Sequence, residues 1–488
     1  MVGEVLGGLS VKTLAFTAIL TPFLASLACA VIPEEKGKLL GYIASAACLI
    51  SLISLALIFK ATPSSSARNL AILLDGLSLL FSLLICLLGF LACVFSLAYV
   101  STRYRFYYSL LMVFIGSMNA TVLFNNVLVF LAFLEISTIS SAVLVAYRGD
   151  KRSLEASLKY LVMCSFGVSL LSLGLSFYMH SLGAYSLSLV GAPKLVAYPT
   201  LTLIFLLVGL GVKAGVTPLH FWLPDAHGEA PAPVSALLSG MCIHLGIYGL
   251  LRFFPVLVAD AVNVKAYWVL TGLGLLTMYL GALCALTQSN LKRMLAYSSV
   301  DEIGYMVLAL GLAFYSLASG LKECLCLALG AAVLEVFAHA VSKSLLFLGS
   351  GVVEKSAGTL TMEKLGGLRV KLPVTAVCFV IGALSMAGMP PLIGFYGKFM
   401  VYKVACDLGL PALALLSVIA SLIALGYYVR AVHLIFFGES RATVKKGESI
   451  LSLLPIIILT VICVVAGLFP GQLFRLTELV AKQILAGV

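Results

Sequence analysis

The chain has 488 residues, of which 62% are hydrophobic and 10% are charged, and this composition excludes a soluble globular domain. The net charge of +11 does not indicate nucleic-acid binding, because the Lys and Arg residues lie mostly in short loops, without a basic tract. The 12 cysteines mostly stand alone inside apolar runs, so we interpret them as small hydrophobic residues rather than as ligands of an iron–sulfur or zinc site.

About fourteen apolar runs follow one another along the chain, each of a length suited to crossing a lipid bilayer as a helix. They extend over residues 13–32, 39–59, 70–98, 106–124, 127–147, 159–179, 199–222, 232–254, 264–287, 294–314, 325–353, 373–401, 410–437 and 450–470. Their length and continuity exclude strands and β-barrels and predict an all-α polytopic membrane protein. A short mixed tail, 471–488, follows the last run. No basic segment precedes the first run, which we expect to stay as a helix rather than to be a cleaved signal peptide.

Lys and Arg residues are distributed unevenly between the two sets of loops. Sixteen lie in the loops after odd-numbered runs and ten lie on the opposite side. Because cytoplasmic loops are enriched in these residues, the distribution predicts that the odd loops face the cytoplasm and that both termini lie outside.

The seventh and twelfth runs are each interrupted by proline beside glycine, with a lysine nearby. The interruptions are Lys213-Ala-Gly-Val-Thr-Pro218 and Gly388-Met-Pro390-Pro391, which continues to Lys398. Proline removes a backbone donor and breaks a helix. Paired breaks in two halves of one chain indicate inverted repeats with binding sites at the breaks, whereas the simpler explanation is that Pro and Gly are common in membrane helices.

Titratable side chains lie inside the apolar runs, where contact with lipid is unfavourable by several kcal/mol. Glu335, His339 and Lys343 in the eleventh run are spaced by four residues, which places them on one helical face. Glu135, in the fifth run, and Lys213, in the seventh, have opposite charges close to the centre of their runs. We predict that they form an ion pair, either a functional one or a static structural one.

His244 in the eighth run, Glu302 in the tenth and Lys398 in the twelfth continue this series. Taken alone, His244 is more typical of a core histidine with its hydrogen bonds satisfied. Lys292 and Arg293 place Asp301 and Glu302 near a membrane surface, which leaves open that one of the two carboxylates faces solvent. As a series, lysine, histidine and carboxylate groups can load a proton from one side of a membrane and release it to the other.

The segment between the seventh and eighth runs contains His220, Asp225, His227 and Glu229. Their spacing is not helical and matches no standard zinc pattern, so we predict a rigid polar turn and no metal site. The chain also has no nucleotide, flavin or iron–sulfur motif. We therefore predict no cofactor and no redox chemistry carried out by this chain itself.

Several ordered sequence blocks resemble those of one membrane-protein family. The string Lys213-Ala-Gly-Val-Thr-Pro-Leu-His-Phe-Trp-Leu-Pro-Asp-Ala-His-Gly-Glu-Ala-Pro231 resembles the signature of the antiporter-like subunits of complex I. That family includes Mrp-type cation/proton antiporters and energy-converting membrane-bound hydrogenases. Similar blocks are Glu135-Ile-Ser-Thr-Ile-Ser-Ser141, Leu291-Lys-Arg-Met-Leu-Ala-Tyr-Ser-Ser299, His339-Ala-Val-Ser-Lys343 and the segment from Gly388 to Lys398. The resemblance covers nearly the whole chain.

The resemblance implies fourteen helices with two inverted five-helix repeats, helices 4–8 and 9–13, in which helices 7 and 12 are broken. The corresponding division is 1–105, 106–254, 264–437 and 450–488. Matching of the motifs implies that Glu135 and Lys213 are the glutamate and lysine of helices five and seven. It implies that His244 occupies the bridging position of helix eight, His339 the histidine position of helix eleven, and Lys398 the terminal position of helix twelve.

Two positions depart from the family pattern, since Glu302 and Glu335 stand where some members have histidine. Carboxylates suit hard cations better than imidazole does, so a sodium-handling path stays open. The chain stops soon after the last run, so we expect no long C-terminal lateral helix.

The sequence thus predicts a subunit that translocates protons and/or sodium in a hetero-oligomeric membrane complex with further antiporter-like subunits. The resemblance places this complex in the plasma membrane of a prokaryote. Respiratory complex I, an Mrp antiporter and a membrane-bound hydrogenase are the alternative hosts. A standalone secondary transporter and a non-conducting scaffold subunit of a membrane oxidoreductase are the alternative functions. A quinone-reducing role is weaker, because no cofactor signal accompanies it.

Overall fold

A computed structural model of the chain describes residues 11–61, 67–69, 71–182, 185–187, 198–254, 264–437, 439 and 447–486. Four of the Lys and Arg residues on which the predicted membrane orientation depends lie outside the described residues: Lys194, Arg441, Lys445 and Lys446. The first ten and last two residues of the predicted outer divisions also lie outside them.

Helices make up almost all of the described structure. The first nine are α1 (Val11–Val31), α2 (Gly37–Ala61), α3 (Gly76–Tyr99), α4 (Tyr104–Leu123), α5 (Val127–Val145), α6 (Lys151–Leu182), α7 (Pro199–Ala214), α8 (Leu223–Glu229) and α9 (Ala232–Leu237). The others are α10 (His244–Arg252), α11 (Val264–Thr287), α12 (Leu291–Ala318), α13 (Lys322–Ala357), α14 (Pro373–Met386), α15 (Ile393–Asp407), α16 (Pro411–Val432), α17 (Ile450–Leu468) and α18 (Gly471–Leu485). A two-stranded antiparallel hairpin, β1 (Ala67–Asn69) and β2 (Ile72–Leu74), precedes α3.

The prediction of an all-α polytopic membrane protein is confirmed. Among the described residues, 12 helical segments are long and apolar enough to cross a membrane, and α7 and α14 are shorter apolar helices. These two shorter helices are the first parts of the interrupted seventh and twelfth runs. The predicted number of crossings and the inverted repeats stay predictions.

One local prediction is wrong. Strands are excluded by the sequence pattern, but β1 and β2 pair antiparallel around the start of the predicted third run. The helix of that run begins only after Asp75, which caps α3 by accepting a hydrogen bond from the Ser78 N–H at 2.9 Å. The mixed tail after 470 forms the helix α18. The buried residues of α18, Thr477, Val480, Ala481 and Ile484, recur at helical spacing.

Each interruption contains a glycine with positive φ within two residues of a helix end. Gly215, at φ +78°, ends α7, and Pro218 lies in the gap before α8. Gly388, at φ +77°, follows α14, and Pro390 and Pro391 lie in the gap before α15. Glycine adopts this conformation without a Cβ penalty, which allows the chain to leave the helix while still inside the apolar region.

The helices next to the breaks lie in the interior of the bundle. The most apolar part of the stretch Ala232–Arg252 is fully buried, whereas only 33% of the most apolar part of Lys151–Ser181 is buried. A Cβ at Gly246 would lie 2.6 Å from the Leu210 carbonyl oxygen and 2.7 Å from the Ala214 nitrogen, so α10 contacts the end of α7 through backbone atoms. Such small-residue contacts are a common way to bring membrane helices close together.

Candidate ion-translocation site

Seven of the eight predicted titratable residues are no more than 1% exposed. We refer to these seven as the polar axis: Lys213, His244, Glu302, Glu335, His339, Lys343 and Lys398. The eighth, Glu135, is half-buried on α5. Buried charges need hydrogen bonds or counter-charges, so the partners of each group decide what the axis can do.

Lys213 lies in the last turn of α7, directly before the first break. Its Nζ donates to the Thr138 Oγ1 of α5 at 2.8 Å and lies 5.8 Å from the centre of the Tyr160 ring of α6. A hydroxyl and an aromatic face thus stabilise the ammonium group, and no carboxylate of the described residues forms an ion pair with it.

The predicted ion pair between Glu135 and Lys213 is not formed. Glu135 Oε1 instead accepts a hydrogen bond from Ser165 Oγ at 2.5 Å, and its Oε2 has no hydrogen-bond partner among the described residues. The physical reason is that Thr138, three residues further along α5, takes the Lys213 ammonium. Residues three apart lie on the same helical face, so Glu135 and Thr138 are alternative acceptors for one ammonium group. In this structure, the Lys213 side chain is directed to Thr138.

His244 follows a short π-helical segment, Leu238–Cys242, which interrupts the helix between α9 and α10. Its Nδ1 lies 2.6 Å from the Gly240 carbonyl oxygen. A carbonyl only accepts, so Nδ1 carries the proton of the neutral ring, and Nε2 is left without a partner in the described structure. The Tyr160 hydroxyl lies 3.5 Å from Cys242 Sγ, and Tyr160 thus extends from Lys213 to the π-helical segment that precedes His244.

The rings of His244 and His339 meet edge to face, with centroids 4.8 Å apart and planes at 86°. Neither nitrogen of His339 has a hydrogen-bond partner among the described residues. Unpartnered buried polar atoms are rare in folded proteins and often mark functional groups or the places of water molecules. This contact connects α10 with α13.

Lys343 lies one turn after His339 on α13. Its ammonium donates to the Leu295 carbonyl oxygen at 3.1 Å, to Ser298 Oγ, and to the Tyr428 hydroxyl at 3.1 Å. These three acceptors match the three donors of an ammonium group. Lys343 forms no ion pair among the described residues.

Two adjacent tyrosines on α16 connect Lys343 with the carboxylates of α12. The rings of Tyr427 and Tyr428 have centroids 4.6 Å apart. The Tyr427 hydroxyl donates to Asp301 Oδ2 at 3.0 Å. Asp301 and Glu302 are both fully buried, which excludes the alternative that one of them faces solvent. A Cβ on Gly281 of α11 would collide with the Asp301 backbone, so α11 covers α12 closely at this point.

Lys398 and Glu302 form a buried ion pair, with Nζ and Oε1 2.9 Å apart. The Lys398 ammonium also donates to the carbonyl oxygen of Met386, the last residue of α14, at 2.7 Å. It lies 4.6 Å from the centre of the Tyr305 ring. Lys398 therefore connects the two sides of the second break, while Glu302 Oε2 has no partner in the described structure.

Glu335 lies beside this pair without joining it. A Cβ on Gly397 would lie 2.7 Å from Glu335 Cδ, so the carboxyl group packs directly against the residue before Lys398. Glu335 Oε1 has no hydrogen-bond partner among the described residues. The structure thus brings Glu302, Glu335 and Lys398 into one neighbourhood, with three carboxylates, counting Asp301, near one ammonium.

The four residues considered as metal ligands do not converge. Asp225 accepts from Arg293 at 2.6 Å and from Lys159 at 3.2 Å, and Glu229 lies 4.0 Å from Arg148. Within the part of the chain that the structure describes, no group of three or more His, Cys, Asp or Glu side chains is arranged to hold a metal ion.

Sequence reasoning missed the hydroxyl groups that complete the axis. They are Thr138, Tyr160, Ser298, Tyr427 and Tyr428. Only Thr138 carried a local signal, since it stands three residues after Glu135. The others contact lysine or carboxylate groups on distant helices, and nothing in their own segments distinguishes them from ordinary core residues.

Comparisons with known proteins agree on one family. Residues 124–424 match the family described as NADH:quinone oxidoreductase/Mrp antiporter, TM. Residues 62–107 match the one described as NADH-Ubiquinone oxidoreductase (complex I), chain 5 N-terminus. The chain is 35% identical over 432 residues to the Na(+)/H(+) antiporter subunit A1 of Staphylococcus haemolyticus, covering 83% of this chain and 53% of that protein. It thus spans about half the length of that relative.

Two further similarities cover most of both partners. A hydrogenase-4 component F homolog from Methylacidiphilum infernorum is 31% identical over 409 residues, which are 80% of this chain and 83% of that protein. A chain in the structure of the Mrp complex from Dietzia sp. DQ12-45-1b superimposes with a TM-score of 0.84 at 22% identity, over 96% of this chain and 97% of that chain. At this level of identity, the structural match shows the fold alone.

Proposed function

We propose that this chain, which belongs to the family of NADH:quinone oxidoreductase/Mrp antiporter membrane subunits, translocates protons and/or sodium as one subunit of a multisubunit membrane complex. Its partners are other membrane subunits, including further antiporter-like ones, in the plasma membrane of a prokaryote. The driving force comes from those partners, since this chain carries no redox motif.

The contact between His244 and His339 is the observation that supports this function most strongly. It joins two groups of buried titratable residues, each next to a helix break, into one series inside the bundle. A static scaffold does not require buried nitrogens without partners, whereas a proton relay requires free acceptor sites. The tyrosine and serine hydroxyls along the axis can pass a proton by accepting one on oxygen while releasing their own.

The arrangement around Lys213 suggests how a proton step is controlled. In this structure, the ammonium is bonded to Thr138, and Glu135 is left to Ser165. Movement of the ammonium to Glu135 forms an ion pair and favours its charged state, whereas return to Thr138 removes that support. A partner subunit that changes the position of Glu135 can therefore load or unload Lys213.

Replacement of Lys213 by Ala in the whole complex tests the proposal. We expect the complex to assemble normally on native gels and to lose coupled ion movement, measured in membrane vesicles by a pH-sensitive dye and by radioactive sodium uptake. Lys403→Ala is the matched control, because Lys403 is an exposed lysine that pairs with Asp407 on the surface of α15. Unchanged flux of both ions in the Lys213→Ala complex contradicts the assignment.

The same measurements separate the alternatives. Normal pumping by a complex that carries Glu135→Gln, Lys213→Ala and Lys398→Ala together favours a scaffold. A purified chain that is monomeric and transports ions alone favours a standalone transporter. Loss of the dye signal with intact sodium uptake, or the reverse, identifies which ion depends on the axis.

A further inference from the structure

Three polar residues form a row along one face of α10, which begins at the polar axis. His244, Tyr248 and Arg252 are spaced by four residues, which aligns them on the same side of the helix. His244 and Tyr248 are fully buried and Arg252 is 5% exposed. The row therefore leads from the centre of the bundle to the end of α10, which is also the end of the apolar stretch Ala232–Arg252 that is long enough to cross a membrane.

Arg252 forms an ion pair with Asp75 at the outer end of this row. Its NH1 donates to Asp75 Oδ2 at 2.5 Å, and its NH2 donates to Asp75 Oδ1 at 2.9 Å. Asp75 also caps α3 through the Ser78 N–H. The Asp75 side chain is 17% exposed, more than that of Arg252, so the carboxylate is the outermost member of the row. The distribution of Lys and Arg predicts that this end of the helices lies outside.

Tyr248 occupies the middle of the row and contacts the groups on its outer side. Its hydroxyl donates to the Val122 carbonyl oxygen at 3.0 Å and accepts from Arg252 NH2 at 3.1 Å. It lies 3.1 Å from Ser78 Oγ, which in turn accepts from Arg252 NH2 at 2.7 Å. On its inner side, Tyr248 is one helical turn from His244, whose Nε2 has no partner among the described residues.

The surface end is covered by the tail helix. Gln483 of α18 accepts a hydrogen bond from the Gly76 N–H at 2.8 Å, directly beside Asp75. A Cβ at Gly76 would lie 2.8 Å from that amide oxygen, so α18 packs tightly here. The guanidinium Nε of Arg252 is buried without a partner in the described structure. A fixed positive charge at the mouth of a polar row excludes cations while it stays in place.

We propose that His244, Tyr248 and Asp75 form a branch through which protons leave the polar axis, and that the Asp75–Arg252 ion pair is the gate of this branch. The inference rests on the proposed function. After His244 takes up a proton at Nε2, that proton passes to the Tyr248 oxygen, directly or through one water, while the Tyr248 hydroxyl turns from the Val122 carbonyl oxygen and gives its own proton to Ser78 Oγ. Ser78 in turn gives its hydroxyl proton to the Asp75 carboxylate, so each hydroxyl ends with the one proton it began with. Neutralised Asp75 no longer holds Arg252, and the gate opens.

Closure of the gate follows from the charge state of Asp75. Burial alone raises the pKa of Asp75, but the Arg252 charge, with the hydrogen bonds from Arg252 and Ser78, outweighs burial and holds that pKa below its ordinary value. The carboxyl group therefore releases its proton to the aqueous side at neutral pH, and the ion pair forms again. The ion pair thus closes the branch after each proton has left, so the branch does not stay open as a pore.

Tyr248→Phe tests the branch in the whole complex. The ring keeps its contact with Phe81, at 5.2 Å between centroids, while the hydroxyl is lost. We expect normal assembly and a loss of coupled proton transport of about tenfold, the rate equivalent of one lost hydrogen bond. The control is Tyr107→Phe, because Tyr107 is fully buried and its hydroxyl lies 2.8 Å from Ser96 Oγ, away from the row. Equal transport rates in the two variants overturn the branch.

The double variant Asp75→Asn/Arg252→Gln tests the gate, because it removes both charges without leaving one unpaired. We expect an increased passive proton leak through vesicles without any driving force, and the leak of an assembled double variant remaining at the original level overturns the gate. Lys213→Ala is measured in parallel. Full transport in that variant refutes the proposed function, whereas loss of transport there with full transport in Tyr248→Phe refutes the branch alone.

Discussion

The imidazole rings of His244 and His339 lie edge to face, 4.8 Å apart, on two helices that belong to different halves of the chain. Of their four nitrogens, only Nδ1 of His244 has a partner among the described residues. The pair therefore offers free proton acceptors at the point where the Lys213 side and the Lys398 side of the axis meet. Histidine suits this place, because modest changes in its surroundings move its charge state across neutral pH.

Replacement of His339 by Ala removes both of its ring nitrogens and breaks the contact between the two histidines. We expect coupled proton transport to fall by about 100-fold, the lower end of what a positioned proton-transfer group contributes, while assembly persists. The measurement is dye-reported acidification of vesicles that contain the complex. His180→Ala is the control, because His180 is exposed near the end of α6. Similar rates in the two variants argue that protons bypass the histidine pair.

The buried ion pair of Glu302 and Lys398 predicts a non-additive pair of substitutions. Glu302→Gln removes the one carboxylate that is in direct contact with the Lys398 ammonium and leaves Asp301 and Glu335 as its neighbours. Removal of one partner of a buried pair destabilises by about 3–5 kcal/mol. Thermal unfolding of the purified complex measures this effect. Glu302→Gln/Lys398→Met removes both charges, so we expect stability to return while transport stays lost. A single Glu302→Gln variant as stable as the original protein shows that the charge of Lys398 does not need Glu302.

Sequence patterns predicted the features that depend on a single segment. The apolar runs predicted the helices, and the four-residue spacing of Glu335, His339 and Lys343 placed them on one face of α13. Proline beside glycine predicted the neighbourhood of both breaks. Each of these follows from periodicity or local backbone chemistry, which a sequence displays directly.

The pairings between segments could not be predicted in the same way. Lys213 was expected to bind Glu135, but a hydroxyl on the same helical face binds it instead, and spacing alone does not distinguish two acceptors one turn apart. Lys343 and Tyr428 are 85 residues apart in sequence, and their contact depends on how α13 and α16 pack. The ion pair of Asp75 and Arg252 likewise requires the positions of two helix ends.

Gly397→Ala tests whether the position of the Glu335 carboxyl group matters. The new methyl group would lie 2.7–2.9 Å from the end of the Glu335 side chain, so the carboxyl group must move away from residue 397. We expect overpacking to destabilise by about 1–3 kcal/mol, and transport to slow with assembly preserved. Both are measured on the same purified complex.

Gly272→Ala is the matched control for this substitution. Gly272 is in α11, and a Cβ there meets no atom within 4 Å. We expect this variant to be as stable and as active as the original protein. Transport that is equally normal in Gly397→Ala indicates that Glu335 is a structural neighbour of the ion pair rather than a part of the relay.

Thr138→Val tests the choice of Lys213 between two acceptors. Valine keeps the shape of threonine but cannot accept the hydrogen bond, and a buried donor without its partner is unfavourable by about 1–3 kcal/mol. We therefore expect the Lys213 ammonium to move to Glu135 and to remain paired there, which slows coupled transport without loss of assembly. Thr121→Val is the control, because the buried Thr121 hydroxyl donates to the Ser117 carbonyl oxygen of its own helix, away from Lys213. Adding Glu135→Gln to Thr138→Val removes the alternative acceptor as well. If the double variant is no slower than Thr138→Val alone, the two acceptors do not compete for Lys213, and the loading step must depend on another group.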